Sequence, residues 1–329
     1  MGLTVAVTGP TGEIGKSAVR ALEGDDRIDR VIGMARRPFD PASRGWHKTE
    51  YRQGDILDRS AVEKLVADAD VVVHLAYIIL GSRSESERVN LAGTRNVFEA
   101  TVAADRPRRL VYTSSVAAYG YHDDNPVPLT EDVPPRGSPE HYYSAQKAAC
   151  ESLLAEITGC TDLEVYVLRP CIVAGPEATV LLRNLPWEQA APYVPEPVRR
   201  MLGAVPGLRP VLPDPGTRFQ LVHHDDVATA IAAAVASDGP LGPYNLAADG
   251  EVTIKDLADA IGAYTVPIPK QLLDLTADVV DLLPYVPSQA EWIHAARHPI
   301  LMDTTKARRD LSWIPHHTAH ETLLSMTRL

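Results

Sequence analysis

Tyr143 and Lys147 stand four residues apart, so a helix presents both on one face. A lysine cation beside a phenol favours the phenolate and draws the tyrosine pKa toward working pH, which makes the pair an acid/base unit. Ser115, upstream, supplies a hydroxyl that can hold a substrate oxygen beside that phenol. Gly9, Gly12 and Gly15 form a glycine-rich turn where the pyrophosphate of a dinucleotide can approach the backbone. Together these residues describe a site that moves a hydride and a proton. Tyr142 also precedes the lysine, but its i+4 residue is Gln146, so Tyr143 is the one in register.

Such residues need elements to carry them. Residues 4–8 are apolar and β-branched and read as a buried parallel strand. The glycine turn follows, then a helical pattern through Ala18, Val19 and Leu22 that Gly24 stops. Strand, glycine turn and helix is the order a dinucleotide fingerprint requires, here spaced G-x-x-G-x-x-G. Gly15-Lys16-Ser17 also looks like the end of a triphosphate-binding loop. That motif needs four residues between its first glycine and the Gly-Lys pair, and from Gly9 there are five. No apolar strand ending in aspartate presents itself to hold magnesium.

Strands and helices alternate through the first half. Further strands are expected at 31–35, 51–56, 71–75, 109–113 and 163–168, with helices at 87–104 and 141–157. This alternation implies an α/β fold, a doubly wound parallel sheet with ligands at the carboxyl ends of its strands. Residues 1–170 are expected to form the dinucleotide-binding core, with 219–247 packing back on it through the alanine-rich helix 226–236. Residues 171–218 and 248–329 are expected to form a smaller substrate-binding lid, because the 27 prolines are dense at 186–215 and 267–287.

The bulk properties bound the rest. At 329 residues and 45% hydrophobic, the chain can bury a substantial core. A net charge of −11 argues against nucleic acid or an anionic membrane as a general partner. No apolar run reaches transmembrane length, and the first apolar run is a strand rather than a signal core. Cys150, Cys160 and Cys171 have no metal spacing and read as free thiols, which places the chain in a reducing cytoplasm. His223-His224 and His316-His317-x-x-His320 come without the acids or cysteines of a familiar metal site, so no metal is expected.

The chain resembles the extended short-chain dehydrogenase/reductases, the NAD-dependent epimerase/dehydratase family, over nearly its whole length. The matching segments are Thr8-Gly9-x-x-Gly12-x-x-Gly15, Gly54-Asp55, His74-Leu75-Ala76, Asn90-x-x-Gly93-Thr94, Thr113-Ser114-Ser115 with Tyr119-Gly120, and Tyr143-x-x-x-Lys147. Leu168-Arg169-Pro170, Val222-His223-x-Asp225-Asp226-Val227-Ala228, Tyr244-Asn245-Leu246 and Trp313-x-Pro315 continue the match. The resemblance implies a Rossmann core and a small C-terminal substrate domain. It implies that Ser115 orients the substrate oxygen, Tyr143 is the acid/base, and Lys147 binds the nicotinamide ribose and tunes Tyr143. Asp55 would bond the adenine amino group and Ala76 would line the cofactor channel. Thr11, Glu13, Ile14, Ile56, Leu75, Tyr77, Asn90, Thr113, Pro170, Ile172 and Val173 complete the implied cofactor-binding set. A homodimer is implied too, through the helices near Asn90 and Tyr143, with Val97, Ala100, Ala148 and Leu153 as supporting residues.

One position departs from the family's default. An acid near the end of the second strand favours NAD, whereas an arginine there can hold the 2′-phosphate of NADP. Here the strand ends Ala35-Arg36-Arg37-Pro38, and no acid appears until Asp40. NADP is therefore the expected cofactor, with NAD second. The apolar residues Leu181, Leu182, Leu185, Trp187 and Tyr193 in the lid suit a partly apolar small-molecule substrate better than a diphosphate clamp. Three functions stay open: an NADP(H)-dependent oxidoreductase on a carbonyl or alcohol, a nucleotide-sugar epimerase or dehydratase, and a non-catalytic NADP-binding redox sensor. Sensors on this fold commonly lack the Ser-Tyr-Lys set, which is intact here.

Overall fold

Val5, Ala6 and Val7 are fully buried in β1 (Leu3–Thr8), the strand on which the site is built. A computed structural model of the chain describes residues 2–79, 83–179, 182, 210–269 and 299–327. β1 pairs in parallel with β2 (Ile28–Ala35) on one side and β4 (Val71–His74) on the other. β3 (Thr49–Gln53) extends the sheet beyond β2. Beyond β4 come β5 (Arg109–Thr113), β6 (Glu164–Pro170) and, from much later in the chain, β11 (Gly242–Leu246). The seven-stranded sheet has the order β11-β6-β5-β4-β1-β2-β3, and all its pairings are parallel. The order reverses between β1 and β4, and splayed loops at such a point open a crevice at the strands' carboxyl ends.

Helices cover both faces, because strands apolar on both sides need burial on both. On one face, α1 (Glu13–Glu23) packs on α6 (His224–Val235) around Val19, Leu22, Val227 and Ile231. On the other, α2 (Arg59–Val66), α4 (Thr94–Ala103) and α5 (Tyr142–Thr158) bury Leu65, Phe98 and Leu154. A third cluster, with Leu212, Leu257 and Leu323, forms the smaller C-terminal unit. It gathers β8 (Val211–Asp214), β9 (Arg218–Phe219), β12 (Val252–Thr253), α7 (Ile254–Ile261), β13 (Tyr264–Pro267) and α9 (Ala319–Ser325). β7 (Ile172–Ala174) and β10 (Leu221–His223) pair at its junction with the main sheet, and α8 (Thr305–Asp310) packs near β11. Leu182 packs against the third cluster, whereas Leu181, Leu185, Trp187 and Tyr193 lie outside the described residues.

One expectation changes. The single helix expected over 87–104 is α3 (Arg83–Glu87), a π-helical stretch Arg88–Gly93, and α4. The wider turn buries Asn90, and a Cβ on Gly93 would stand 2.5 Å from Ile56 Cδ1, so close packing holds it in place. Val97, Ala100, Ala148 and Leu153 are all buried within the chain itself. The exposed Ala149 lies on another side of α5. Among the described residues, no helix is long and apolar enough to cross a membrane.

Candidate active site

The glycine turn after β1 is a cradle that side chains would fill. Gly9 has φ +75°, and a Cβ there would lie 2.9 Å from the Ala76 backbone. A Cβ on Gly15 would lie 2.1 Å from the Gly9 carbonyl oxygen, so no other residue fits. Gly12 is the N-cap of α1, and no side chain caps that helix. Its first-turn N–H groups and positive dipole end are thus left for an anion. Thr11, half-buried, sits between these glycines. Ile14 packs down into the first core cluster, leaving its backbone at the turn. Glu13 accepts from the Thr179 backbone N–H at 3.1 Å, which ties the segment after β7 to the start of α1. Ser17 bonds His224 at 2.8 Å inside the α1–α6 contact, a packing role rather than a magnesium ligand.

The loop after β4 forms the opposite wall. Thr8 Oγ1 accepts from the Leu75 and Ala76 N–H groups, both at 3.3 Å, and lies 2.7 Å from His74 Nδ1. Burial, with Lys147 adding to it, pushes His74 down to about 3, so it is a neutral strut between Thr8 and Thr94. Asn90, fully buried, accepts from the Ile78 N–H at 2.8 Å and donates to the Ile78 carbonyl at 2.9 Å. It also donates to Gln146 Oε1 at 2.9 Å, locking the loop onto α5.

At the far end of β2, Arg36 and Arg37 are both exposed. The Arg36 guanidinium is 3.7 Å from Glu85. Asp40 is turned away and caps its own short helix through the Ala42 N–H at 3.0 Å. Asp55 accepts from the Leu57 N–H at 3.0 Å, while Ile56 is buried against Gly93. The last group of expected residues continues the wall. Pro170 ends β6 beside Leu246, and Ile172 and Val173 form β7 opposite Leu221 and Val222.

The acid/base set converges where β5 ends. His141 caps α5 through the Ser144 N–H, so the helix starts with Tyr142 and Tyr143 at the mouth of the crevice. The Tyr143 phenol is hydrogen-bonded to Ser115, whose backbone is extended and whose Oγ accepts from the Ala117 N–H at 3.2 Å. Ser114 turns the other way and donates to Glu151 at 2.6 Å. Tyr142 donates to the Ile79 carbonyl at 2.9 Å, so it braces the loop. Lys147 is buried and donates to the Thr113 carbonyl at 3.0 Å.

The electrostatics differ from the simple expectation. Burial raises Tyr143 to about 12, and the Ser115 bond offsets only part of that. Burial lowers Lys147 to about 8. The lysine makes a close aromatic contact. Its Nζ lies over the Tyr77 ring, 3.7 Å from the centroid, and 5.2 Å from that of Tyr112. Tyr143 is therefore a neutral acid in this arrangement.

Several residues around the site were given no role by the sequence. Arg169 grips Glu151 with two hydrogen bonds, at 3.0 and 2.6 Å, directly behind Ser114. Glu151 falls four residues after Lys147, the periodicity that could have found it. Glu85 and Thr179 reach the crevice walls from segments that read as loops. Asp225 joins His223 and His224, with ligand atoms within 4.8 Å of one another, so an acid does accompany these histidines. Three of their four nitrogens are engaged: His223 Nδ1 accepts from the Asp225 N–H, and His224 bonds Ser17 and the Glu177 N–H. Arg20 already pairs with Asp225 at 3.0 Å.

A nicotinamide dinucleotide fits these residues. The glycine cradle admits a backbone-bound pyrophosphate, and Thr113 Oγ1 beside Lys147 is buried without a hydrogen-bond partner. Parallel sheet, uncapped α1 and the Ser115-Tyr143-Lys147 set define a Rossmann dinucleotide-binding protein. The chain belongs to the NAD dependent epimerase/dehydratase family, whose sequence profile matches residues 5–247. It is similar to the uncharacterised protein y4nG of Sinorhizobium fredii, 27% identical over 98% of this chain and 77% of that protein. An uncharacterised Mycobacterium tuberculosis protein is 27% identical over 99% of this chain, but the match spans 30% of that longer protein. In fold it is similar to UDP-glucuronic acid 4-epimerase from Bacillus cereus, solved with NAD, at TM-score 0.72 and 18% identity over 99% and 97% of the two chains.

Proposed function

We propose that this protein is an NAD(P)-dependent epimerase or dehydratase acting at a secondary alcohol of a nucleotide sugar. The observation that carries the reading is the Ser115–Tyr143 hydrogen bond at the dry end of the crevice, with buried Lys147 one turn along α5. The family, and a neighbour named as a nucleotide-sugar epimerase with NAD, support this reading over a net reductase. An assembled Ser-Tyr-Lys set supports an enzyme over a redox sensor.

The roles follow from position. Gly9, Gly12 and Gly15 would hold the pyrophosphate, Asp55 and Arg36 the adenosine end, and Thr113 and Lys147 the nicotinamide ribose. When bound, the nicotinamide supplies the hydride acceptor and donor. Ser115 orients the substrate oxygen by its hydroxyl. Tyr143 exchanges a proton with that oxygen, and Lys147 places a cation beside the reacting groups. Tyr142, Asn90 and Gln146 hold the loop wall that excludes water.

The test is to incubate the protein with a panel of uridine and thymidine diphosphate sugars and follow products by NMR. An epimer or a keto-sugar should form with no net change in NAD(P)H absorbance. Net consumption of NADPH on ketones or aldehydes, with no sugar turnover, would sink it.

That second outcome is the NADP(H)-dependent oxidoreductase reading, and Arg36 favours its cofactor. The guanidinium lies at the end of β2 with Asp40 turned away, and Glu85 is its partner. If Arg36 holds a 2′-phosphate, Arg36→Ala should weaken NADPH binding by about 1–3 kcal/mol and barely affect NADH. Fluorescence titration checks this, and equal affinities for both dinucleotides in the unsubstituted protein would remove the NADP preference.

A further inference from the structure

A buried ammonium needs compensation, and for Lys147 part of it comes through the field of Glu151. Glu151, one turn further along α5, is held by Arg169 through both its oxygens. Cys150, also on α5, is kept a neutral thiol by burial. His74 on β4 is neutral for the same reason. From β5 come the Thr113 carbonyl at 3.0 Å and the Tyr112 ring at 5.2 Å. The face of Tyr77 lies against the ammonium, 3.7 Å from it to the ring centroid. An aromatic face attracts a cation through its quadrupole, most strongly where water is excluded.

The same ring meets Tyr143 edge-on, with centroids 5.6 Å apart and planes at 87°. Its orientation is fixed from behind. The Tyr77 hydroxyl points to Gln146 Oε1 at 3.4 Å, Gln146 is held by Asn90, and Asn90 clamps the backbone of Ile78, the next residue. Burial holds the Tyr77 phenol well above its ordinary range, so it serves as a neutral π-face and not as a competing anion.

We propose that Tyr77 is a positioning residue whose ring face carries the Lys147 cation while its edge fixes the Tyr143 ring, the juxtaposition that lets the crevice keep a buried charge without a carboxylate partner. The role of Lys147 in binding a dinucleotide rests on the proposed function; the contact with Tyr77 does not. Two readouts therefore separate the claims.

Replacing Tyr77 by phenylalanine, and then by its mono-, di- and trifluorinated forms, keeps the shape and drains the π-face in steps. Lys147 is lowered from 10.5 to about 8 by burial, so the folded chain loses this proton first. The unfolded chain holds more protons between those values, and stability rises with pH across that window. A weaker π-face lowers the folded value further, so the rise begins at lower pH. Urea unfolding against pH should show its onset moving down stepwise, by about one pH unit between phenylalanine and its trifluorinated form. NADH or NADPH fluorescence should show dinucleotide affinity falling off at correspondingly lower pH. Superimposed urea profiles across the series would overturn the Tyr77 proposal. Unfolding onsets that shift while no dinucleotide binds at any pH would uphold it and overturn the proposed function.

Discussion

Replacing Tyr143 by phenylalanine is expected to lower turnover by about a hundredfold or more while leaving the fold and dinucleotide affinity in place. The substitution removes one hydroxyl. The ring keeps its edge contact with Tyr77 at 5.6 Å and its place near His141, with centroids 6.3 Å apart. What is lost is the proton carrier, and with it the partner of Ser115. The pH dependence carries a sign. Burial raises Tyr143 to about 12, so near neutral pH it is protonated and ready to donate to an oxygen that gains charge. In the opposite direction it must first give up that proton, so alcohol oxidation should accelerate as pH rises, and that dependence should vanish in Tyr143→Phe. Steady-state rates and pH profiles in both directions check the claim. Full activity with an unchanged profile in the variant would transfer the acid/base role to another group. Tyr142 is a poor substitute because its hydroxyl is committed to the Ile79 carbonyl.

How far the sequence alone reaches depends on whether a feature is local. β5 was readable at its true ends, Arg109 and Thr113, because an apolar run closed by polar residues needs no distant information. The helix expected at 141–157 is observed as Tyr142–Thr158, since His141 caps it locally. The π-helical turn at Arg88–Gly93 was not readable, because one extra residue in a turn leaves the apolar spacing nearly helical. The four residues expected to support a dimer illustrate a related point. Apolar positions on a helix announce a buried face but not what buries it, and Val97, Ala100 and Leu153 lie in the chain's own core.

The site divides in the same way. Ser115, Tyr143, Lys147 and the glycine turn carry spacing that has chemical meaning, and the structure brings Ser115, Tyr143 and Lys147 to one end of β5. What spacing cannot give is direction. The lysine was expected to act on the phenol, and its ammonium also lies over the face of Tyr77, 70 positions earlier in the chain. The Glu13–Thr179 tie and the Arg36–Glu85 pair are equally non-local. Charged residues in such segments read as solvated until the fold supplies their partners.

Arg169→Met is expected to destabilise the protein by about 3–5 kcal/mol, because it strands a carboxylate. The Arg169 and Glu151 side chains are 4% and 7% exposed, so water does not share their charge. Ser114 would be left as a neutral donor to Glu151 at 2.6 Å, too little for a buried anion. Arg169 also stacks over Tyr119 at 4.6 Å, and Tyr119 donates to Asn245 on β11, so the loss would loosen the β6–β11 edge. The double substitution Arg169→Met with Glu151→Leu removes both charges, and it should recover most of the loss, since apolar replacements of a buried pair are often neutral or stabilising. Urea unfolding of the two variants beside the unsubstituted protein measures both effects. A single variant as stable as the parent would mean that the pair is hydrated in solution. A double variant no better than the single would place the cost in packing around Tyr119 instead of in the stranded charge. The pair also explains why Lys147 depends on an aromatic face. With both its oxygens held by Arg169, Glu151 supports the lysine only through its field, which leaves that cation available to the crevice.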